Sequence, residues 1–402
     1  MSSLVAEASG ARGPHAGLVL DGQFRLDALI GSGSMAHVYR ARQLVVERNV
    51  AIKILRTELL ARADVLARFR REAAIAARLE HPHVAIVHAT GTVPSVGGHP
   101  GGEPYLALEF LDGPSLAQLL EREGGALPLG RALHIVLALC DALGEAHARG
   151  IVHRDLKPEN VILVHRGDDA DFVKLVDFGL ARMPGSADVQ TRAGAVLGTP
   201  RYVSPEGAQG RDVGPAADCY ALATLLYQCL AGRTPFDGED ALQVLLQHAT
   251  ASPPELTELD RARGVPEPIA RVVMHNLAKD PAARAPDARA LGRALVEAAR
   301  VAHLEPEQIG LSSTLLGSQK TLTPVLGSAP TACPSSQRSG SPSGRSIHAK
   351  RPAERSVASP RRARVRRAAA FLLYFVVGAL AALLVAHGVG LLAPPPRAEA
   401  AP

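Results

Sequence analysis

His153-Arg154-Asp155-Leu156-Lys157-Pro158-Glu159-Asn160 stands in the first half of this 402-residue chain. Seventeen residues beyond Asn160 comes Asp177-Phe178-Gly179, directly after the strand-like run Phe172-Val173-Lys174-Leu175-Val176. Upstream, Gly31-Ser32-Gly33-Ser34-Met35-Ala36-His37-Val38 lies between two strand-like stretches, FRLDALIGSG and AHVYRARQ. Paired glycines let backbone N–H groups approach phosphate oxygens without a Cβ in the way. Taken alone, the segment reads equally well as an ordinary hairpin turn. Fifteen residues after Val38 comes Lys53, in Val50-Ala51-Ile52-Lys53. A lysine inside an apolar strand is costly unless its ammonium is paired. An edge-strand lysine is the plainer reading of Lys53 by itself, but together with the glycine loop it points to a phosphate contact. Glu72, in the next helical stretch, can supply the fixing carboxylate.

The periodicities around these segments describe two unlike halves. NVAIKIL and YLALEFL read as further strands, and residues 58–79 carry helical spacing of Leu, Val, Phe and Ile. From about residue 115 helices dominate, most clearly over 115–123, 129–149, 216–232 and 239–249. A small strand-rich lobe therefore precedes a larger helical one.

At this point the sequence resembles the eukaryotic-like serine/threonine protein kinases, in the arrangement common in bacteria. The resemblance covers residues 24–297, and an ordered set of HRDLKPEN, VAIK and DFG at these spacings is specific. It implies an α+β, bilobal protein-kinase fold: a small antiparallel sheet lobe with one helix, then a larger, mainly helical lobe. By the resemblance Lys53 holds the α/β-phosphates of ATP and Glu72 orients it. Asp155 accepts or orients the substrate hydroxyl proton, and Lys157 neutralises the transferring phosphoryl group. Asn160 and Asp177 supply oxygens to Mg²⁺ or Mn²⁺, hard ions that prefer such ligands. The ATP site then comprises the loop Ile30, Gly31, Ser32, Gly33, Ser34, Met35, Ala36, His37 and Val38, with Ala51 and Ile162 sandwiching adenine. Glu109 and Leu111 match the hinge that pairs with adenine through backbone groups, behind Leu108. His153 and Phe178 read as packing residues. Arg154, beside Asp155, marks kinases switched by activation-loop phosphate, since a guanidinium pairs phosphate bidentately. Thr191 is the candidate phosphosite, with an unmodified loop threonine as the alternative; Thr199 matches a residue that hydrogen-bonds near Asp155 and Lys157. Glu206 is expected to pair with Arg284, and Asp218 to hold the scaffold. Two departures stand out: Ala36 replaces the third loop glycine, and a Gly/Pro-rich insertion, 94–104, precedes Tyr105.

Other constellations read blandly. His81, His83 and His88 fit a turn after the Glu72 helix better than a metal cluster. Asp168, Asp169 and Asp171 crowd a hairpin turn and are most simply solvated.

Composition sets the limits. At 47% hydrophobic the chain can bury a core, and with 3% aromatic residues that core must come from Ala, Val and Leu. Four cysteines without a CxxC pairing fit a reducing compartment. The net charge of +5 invites a nucleic-acid reading, but residues 350–367 carry eight basic side chains against Glu354. That segment is +7, so the remainder sums to −2, and no specific nucleic-acid partner is implied. The expected organisation is a mobile leader (1–22), a kinase domain (23–300), a disordered Ser/Pro/Arg-rich tether (301–367), a transmembrane helix (368–393) and a short outer tail (394–402). Residues 368–393 contain no Asp, Glu, Lys or Arg and exceed the roughly 20 residues that span a bilayer. The basic residues before them predict a cytoplasmic kinase on an inner or plasma membrane, crossed once, with 350–367 touching anionic lipid. Expected partners are protein substrates, the bilayer, and a second copy for trans-autophosphorylation. Two rivals are a catalytically silent membrane scaffold and a small-molecule phosphotransferase. The intact Lys53, Glu72, Asp155, Asn160 and Asp177 weigh against the first, and the peptide-docking segment 199–206 against the second.

Overall fold

Every residue from Val50 to Leu55 is buried, so the strand that carries Lys53 has no solvent face. The structure, a computed structural model, describes residues 13–96, 99–178 and 200–305. Thr191, Thr199, the tether beyond 305, the apolar stretch 368–393 and the tail lie outside these residues. No helix among the described residues is long and apolar enough to cross a membrane.

Eight strands and eight α-helices are described. The first six strands form one antiparallel sheet in the order β1-β2-β3-β4-β6-β5, built from β1 (Val19–Leu20), β2 (Phe24–Ser32), β3 (Ala36–Gln43), β4 (Arg48–Leu55), β5 (Val87–Thr92) and β6 (Pro104–Glu109). Alternation along β4 sends side chains to opposite faces. Val50, Ile52 and Ile54 join Phe24, Tyr39 and Tyr105 in an outer core. Ala51 and Leu55 face the other way, with Val38, Leu106 and Leu108, against α1 (Ala63–Ala76). That helix buries Val65, Phe69 and Ala73, spaced four apart on one face, and Glu72 shares their side. It is shorter than the expected 58–79: Thr57–Leu59 form a 3₁₀ turn, and the helix ends with Ala77 as its cap.

The outer core corrects the expected leader. Leu20 is fully buried, Leu18 packs beside it, and β1 pairs with β2. Residues 13–22 therefore belong to the folded lobe, because the outer face of the sheet must be covered by something apolar. Val93, just before the insertion, lies in the same core, and Glu103 within the insertion is fully buried.

The larger lobe comprises α2 (Leu116–Arg122), α3 (Leu129–Ala148), α4 (Pro205–Ala208), α5 (Pro215–Ala231), α6 (Ala241–Thr250), α7 (Glu267–Asn276) and α8 (Ala288–Val301); all but α4 and α6, which pack on each other, contribute to one core rich in Leu and Ala. α2 starts in a capping box, Ser115 with Gln118. α5 ends on Gly232, whose φ of 76° is the left-handed conformation a glycine cap supplies. Between the lobes lies the hairpin of β7 (Val161–Arg166) and β8 (Asp169–Leu175).

Of the hairpin aspartates, Asp168 is exposed as expected, but Asp169 and Asp171 are not simply solvated. Arg131 of α3 grips Asp171 with two hydrogen bonds, 2.7 and 2.9 Å, and also reaches Glu123 at 2.9 Å. Asp169 lies 3.2 Å from His134. α3 presents a cation to the turn, and half-buried carboxylates take a partner where one is offered. His81 contacts Asp141 at 3.2 Å, and His83 bonds the Val173 carbonyl at 2.9 Å while stacking on Phe172.

Candidate active site

Two small ionic clusters form where the lobes meet. In the first, Lys53 Nζ donates to Glu72 Oε1 at 2.8 Å and to Asp177 Oδ1 at 2.7 Å. β4 aims Lys53 at the inner face, α1 brings Glu72 onto it, and Asp177 follows β8. Burial alone would push the Lys53 ammonium down, but the Asp177 and Glu72 carboxylates outweigh it and hold its pKa above the ordinary lysine range. Burial pushes the Glu72 carboxyl up while Lys53 pulls it back. With Nζ at 2.8 Å and the lysine firmly protonated, the pair is charged. The direct Lys53–Asp177 contact is more than the sequence indicated, which offered Glu72 alone as the partner.

In the second cluster Lys157 Nζ donates to Asp155 Oδ2 at 2.6 Å. Asn160 donates its amide to the Asp155 carbonyl at 2.8 Å, which leaves its amide oxygen as the end available to a cation. Asn160 and Asp177 together present the oxygen donors that a hard divalent ion takes.

The backbone that carries these groups is bent into rare conformations. Arg154 has φ 68° and Asp177 φ 56°, left-handed values that cost an ordinary residue about 1 kcal/mol or more. Asp218 holds the first bend, accepting the N–H of His153 at 2.8 Å and that of Arg154 at 3.0 Å. His147 Nε2 also reaches Asp218, at 2.9 Å. His153 is buried and lies 4.8 Å, centroid to centroid, from Phe178. Burial pushes its imidazole below the ordinary value, against the pull of the Asp218 and Asp155 charges, so it packs as a neutral ring.

Apolar residues line the approach in two separate groups. Ile30, Met35, Ala36, Val38, Ala51 and Leu108 belong to the inner core of the small lobe. Leu111, Ile162, Val176 and Ala85 form a distinct cluster below. The glycine loop is a tight hairpin, Gly33 donating to the Ala36 carbonyl at 2.9 Å, with Gly31 opposite Val38 and Ser32 bonded to His37 Nδ1 at 3.1 Å. The hairpin and phosphate-loop readings are thus compatible. Glu109 donates its N–H to the Ile86 carbonyl at 2.8 Å, and its carboxylate binds Lys174 at 2.8 Å. Lys174 escaped the sequence reading although the argument used for Lys53 applied to it: a lysine in the apolar run FVKLV also needs a paired ammonium.

Deeper in the large lobe Arg284 makes two hydrogen bonds to Glu206, at 2.9 and 2.8 Å, as the sequence led one to expect. Thr191 and Thr199 lie outside the described residues, while Arg154 is half-buried and its N–H is held by Asp218.

The protein kinase domain family matches residues 24–294. Among curated relatives, serine/threonine-protein kinase pkn3 of Myxococcus xanthus is 39% identical over 279 residues, 69% of this chain and 50% of its own length. Serine/threonine-protein kinase pkn2 of the same organism is 41% identical, covering 70% of this chain and 33% of that one. PknB of Mycobacterium leprae is 36% identical, covering 67% and 41%. The chain thus spans half or less of the length of these relatives. Among solved structures, the kinase domain of Mycobacterium tuberculosis PknI matches with a TM-score of 0.54 and 30% identity, covering 70% of this chain and 98% of that one.

Proposed function

The chain belongs to the protein kinase domain family, and from that premise we propose that it is a serine/threonine protein kinase dependent on ATP and a divalent cation. The observation that carries the proposal is the Lys53 ammonium bridging Glu72 and Asp177, with Asp155, Lys157 and Asn160 gathered beside it. Such a site works by positioning and by neutralising spread negative charge. Lys53 holds the α/β-phosphates and Glu72 fixes it. Ile30, Val38 and Ala51 close on adenine from above and Ile162 from below. Glu109 has committed its N–H to the sheet, so Leu111 is the hinge residue whose N–H serves the base. The glycine loop, residues 31–37, covers the phosphates.

Asp155 orients the Ser or Thr hydroxyl of a protein substrate and takes its proton as the oxygen bonds to the γ-phosphorus. The bond from that phosphorus to the β,γ-bridging oxygen breaks, and ADP leaves. Lys157 sits against Asp155, where it neutralises the phosphoryl group in transit. Asn160 and Asp177 hold Mg²⁺, or Mn²⁺ in its place, which supplies further positive charge to the phosphates. Arg154 receives a phosphate on Thr191, and Thr199 bonds near Asp155 and Lys157. Autophosphorylation of this loop, in trans between two copies, switches the enzyme on in a signalling role.

Residues 368–393 anchor the protein as one transmembrane helix, with the kinase domain in the cytoplasm, 301–367 as tether and 394–402 outside. Residues 350–367 rest on anionic lipid. The charge asymmetry and the uncharged 26-residue stretch support this topology.

Incubation with labelled ATP and Mg²⁺, comparing wild type with Asp155→Asn, tests the activity. Label on protein in the wild type alone is expected, and label in neither sample refutes the proposal. Mass spectrometry of the product locates Thr191. Carbonate extraction of membranes, with and without residues 368–393, tests the anchor; release of the intact chain would defeat it.

A further inference from the structure

His15, His99 and Glu103 come from the two segments to which the sequence assigned no task, the N-terminal stretch and the insertion before β6. They converge on the outer side of the small lobe, away from the Lys53 face. His15 Nε2 and His99 Nε2 each lie 3.6 Å from Glu103 Oε1. One ligand atom from each residue falls within 4.8 Å of the other two, the sole such trio of His, Cys or acidic groups among the described residues. His15 is 1% exposed and Glu103 fully buried, and neither His15 Nε2 nor Glu103 Oε2 has a hydrogen-bond partner. Buried polar atoms are nearly always satisfied, so an orphan on each of two adjoining members of the trio, His15 Nε2 and Glu103 Oε2, marks a place for a missing partner. A cation that accepts electron pairs would satisfy His15 Nε2 and the Glu103 carboxylate, and His99 once its Nε2 gives up its proton.

We infer that this cluster is a structural site for a divalent transition-metal ion, best matched by Zn²⁺, with His15, His99 and Glu103 as ligands and water as the fourth. Zinc bound at about 2.0–2.2 Å to nitrogen and oxygen needs ligand atoms about 3.3 Å apart in a tetrahedron. Two of the three separations are already within a few tenths of an ångström of that. Two imidazoles and one carboxylate suit zinc and cobalt, not magnesium or calcium.

The surrounding shell is largely built. Tyr39 Oη lies 3.1 Å from His15 Nδ1, placed to accept its proton and leave Nε2 for the metal. Thr57 Oγ1 donates to Glu103 Oε1 at 2.5 Å and fixes the carboxylate. One element must move. Gly101 donates its N–H to His99 Nδ1 at 3.0 Å, which puts the neutral ring's proton on Nε2. On binding, that proton shifts to Nδ1 and the 100–101 peptide turns over, so that the Pro100 carbonyl accepts it. Gly101, at φ 70°, is the residue type that tolerates either setting.

The test uses the full-length chain in detergent, without a histidine tag, stripped with chelator and held in excess Mg²⁺ to occupy the kinase site. Cobalt(II) is titrated as the spectroscopic probe. The expected result is one equivalent giving the intense visible bands of four-coordinate cobalt, displaced by zinc. His15→Asn and His99→Asn should each weaken binding at least roughly a hundredfold, since even the loss of an outer-shell partner costs about 10–100-fold. Zinc should raise the melting temperature of the wild type and of neither variant. His99, whose side chain is 16% exposed, is the variant that keeps its fold, checked by its metal-free melting curve. Absence of the bands at one equivalent overturns the proposal and leaves a metal-free His–Glu cluster. Equal bands in wild type and both variants overturn it as well, placing the metal elsewhere.

Discussion

Replacing Arg284 by Met should be among the most damaging single changes in the large lobe, and its size follows from the hydrogen bonds. The guanidinium makes two bonds to Glu206 and one each to the carbonyls of Ala216, Ala278 and Lys279, at 2.8–3.0 Å. Arg284 is 5% exposed and Glu206 3%. Removing one partner of a buried ion pair costs about 3–5 kcal/mol, because the other charge is left uncompensated. Three carbonyls that lose a donor add up to about 1 kcal/mol each. The sum is roughly 5 kcal/mol, or about 10–20 °C in melting temperature for a domain of this size. The penalty should also depend on pH. In the wild type burial favours the neutral Glu206, yet the Arg284 hydrogen bonds prevail and hold its pKa below the ordinary carboxylate value. That contribution is fully present above the unfolded pKa and fades as pH falls through the folded one. In Arg284→Met the cation is gone, burial is opposed only by the hydrogen bonds from Ser204 and the Glu206 backbone N–H, and the folded pKa should rise above the unfolded one. The variant's deficit should therefore narrow on lowering the pH from 8 to about 5, as the stranded carboxyl takes up a proton. Scanning calorimetry across that range measures it, with Glu206→Gln/Arg284→Met as the control that removes both charges. A pH-independent deficit, or a double variant as unstable as the single one, would refute the reasoning.

Three further outcomes follow from the packing. Leu20→Ala should cost about 2–5 kcal/mol in a denaturant melt, since a fully buried leucine leaves a cavity in the outer core; a change near zero would return residues 13–22 to a dispensable leader. Ala36→Gly should leave phosphotransfer within a few-fold of wild type while lowering stability by about 1–2 kcal/mol. The methyl is 1% exposed and packed, and glycine weakens a strand; a large gain in rate would mean that the methyl obstructs the loop. Arg131→Ala should lose about 1 kcal/mol, because its pairs with Asp171 and Glu123 are only partly shielded. A double-mutant cycle with Asp171→Ala reads the coupling.

Legibility followed sequence distance and chemical demand. Lys53 was legible because an ammonium in an apolar strand requires a carboxylate, and the helix with Glu72 lies close behind in the chain. The Arg284–Glu206 pair became legible only through the resemblance, since 78 residues separate the two. The direct contact of Lys53 with Asp177 spans 124 residues and has no local signature. Asp171 was misread for a related reason: a turn full of aspartates resembles any solvated turn until α3 is packed beside it. Residues 13–22 carry no periodicity, because a two-residue strand is too short to show one. Their burial is dictated by the uncovered face of the sheet, which appears only once the sheet exists. The helices 129–148 and 215–231 were legible because their buried faces extend over many turns. α7 and α8 escaped the coarse reading despite well-marked apolar faces.

β4 is a shared wall with rooms on both sides. Its odd members, Ala51, Lys53 and Leu55, hold the inner side and its even members, Val50, Ile52 and Ile54, the outer side, so neither room can be remodelled without moving the wall. Tyr39, which touches His15, pairs across the sheet with Ile52, the neighbour of Lys53. An event on the outer face that shifted this strand would therefore carry the Lys53 ammonium with it. Linkage makes such traffic two-way. A ligand on the outer face that altered how tightly the Lys53 side binds its own ligand would have its own affinity altered in return, and to the same degree.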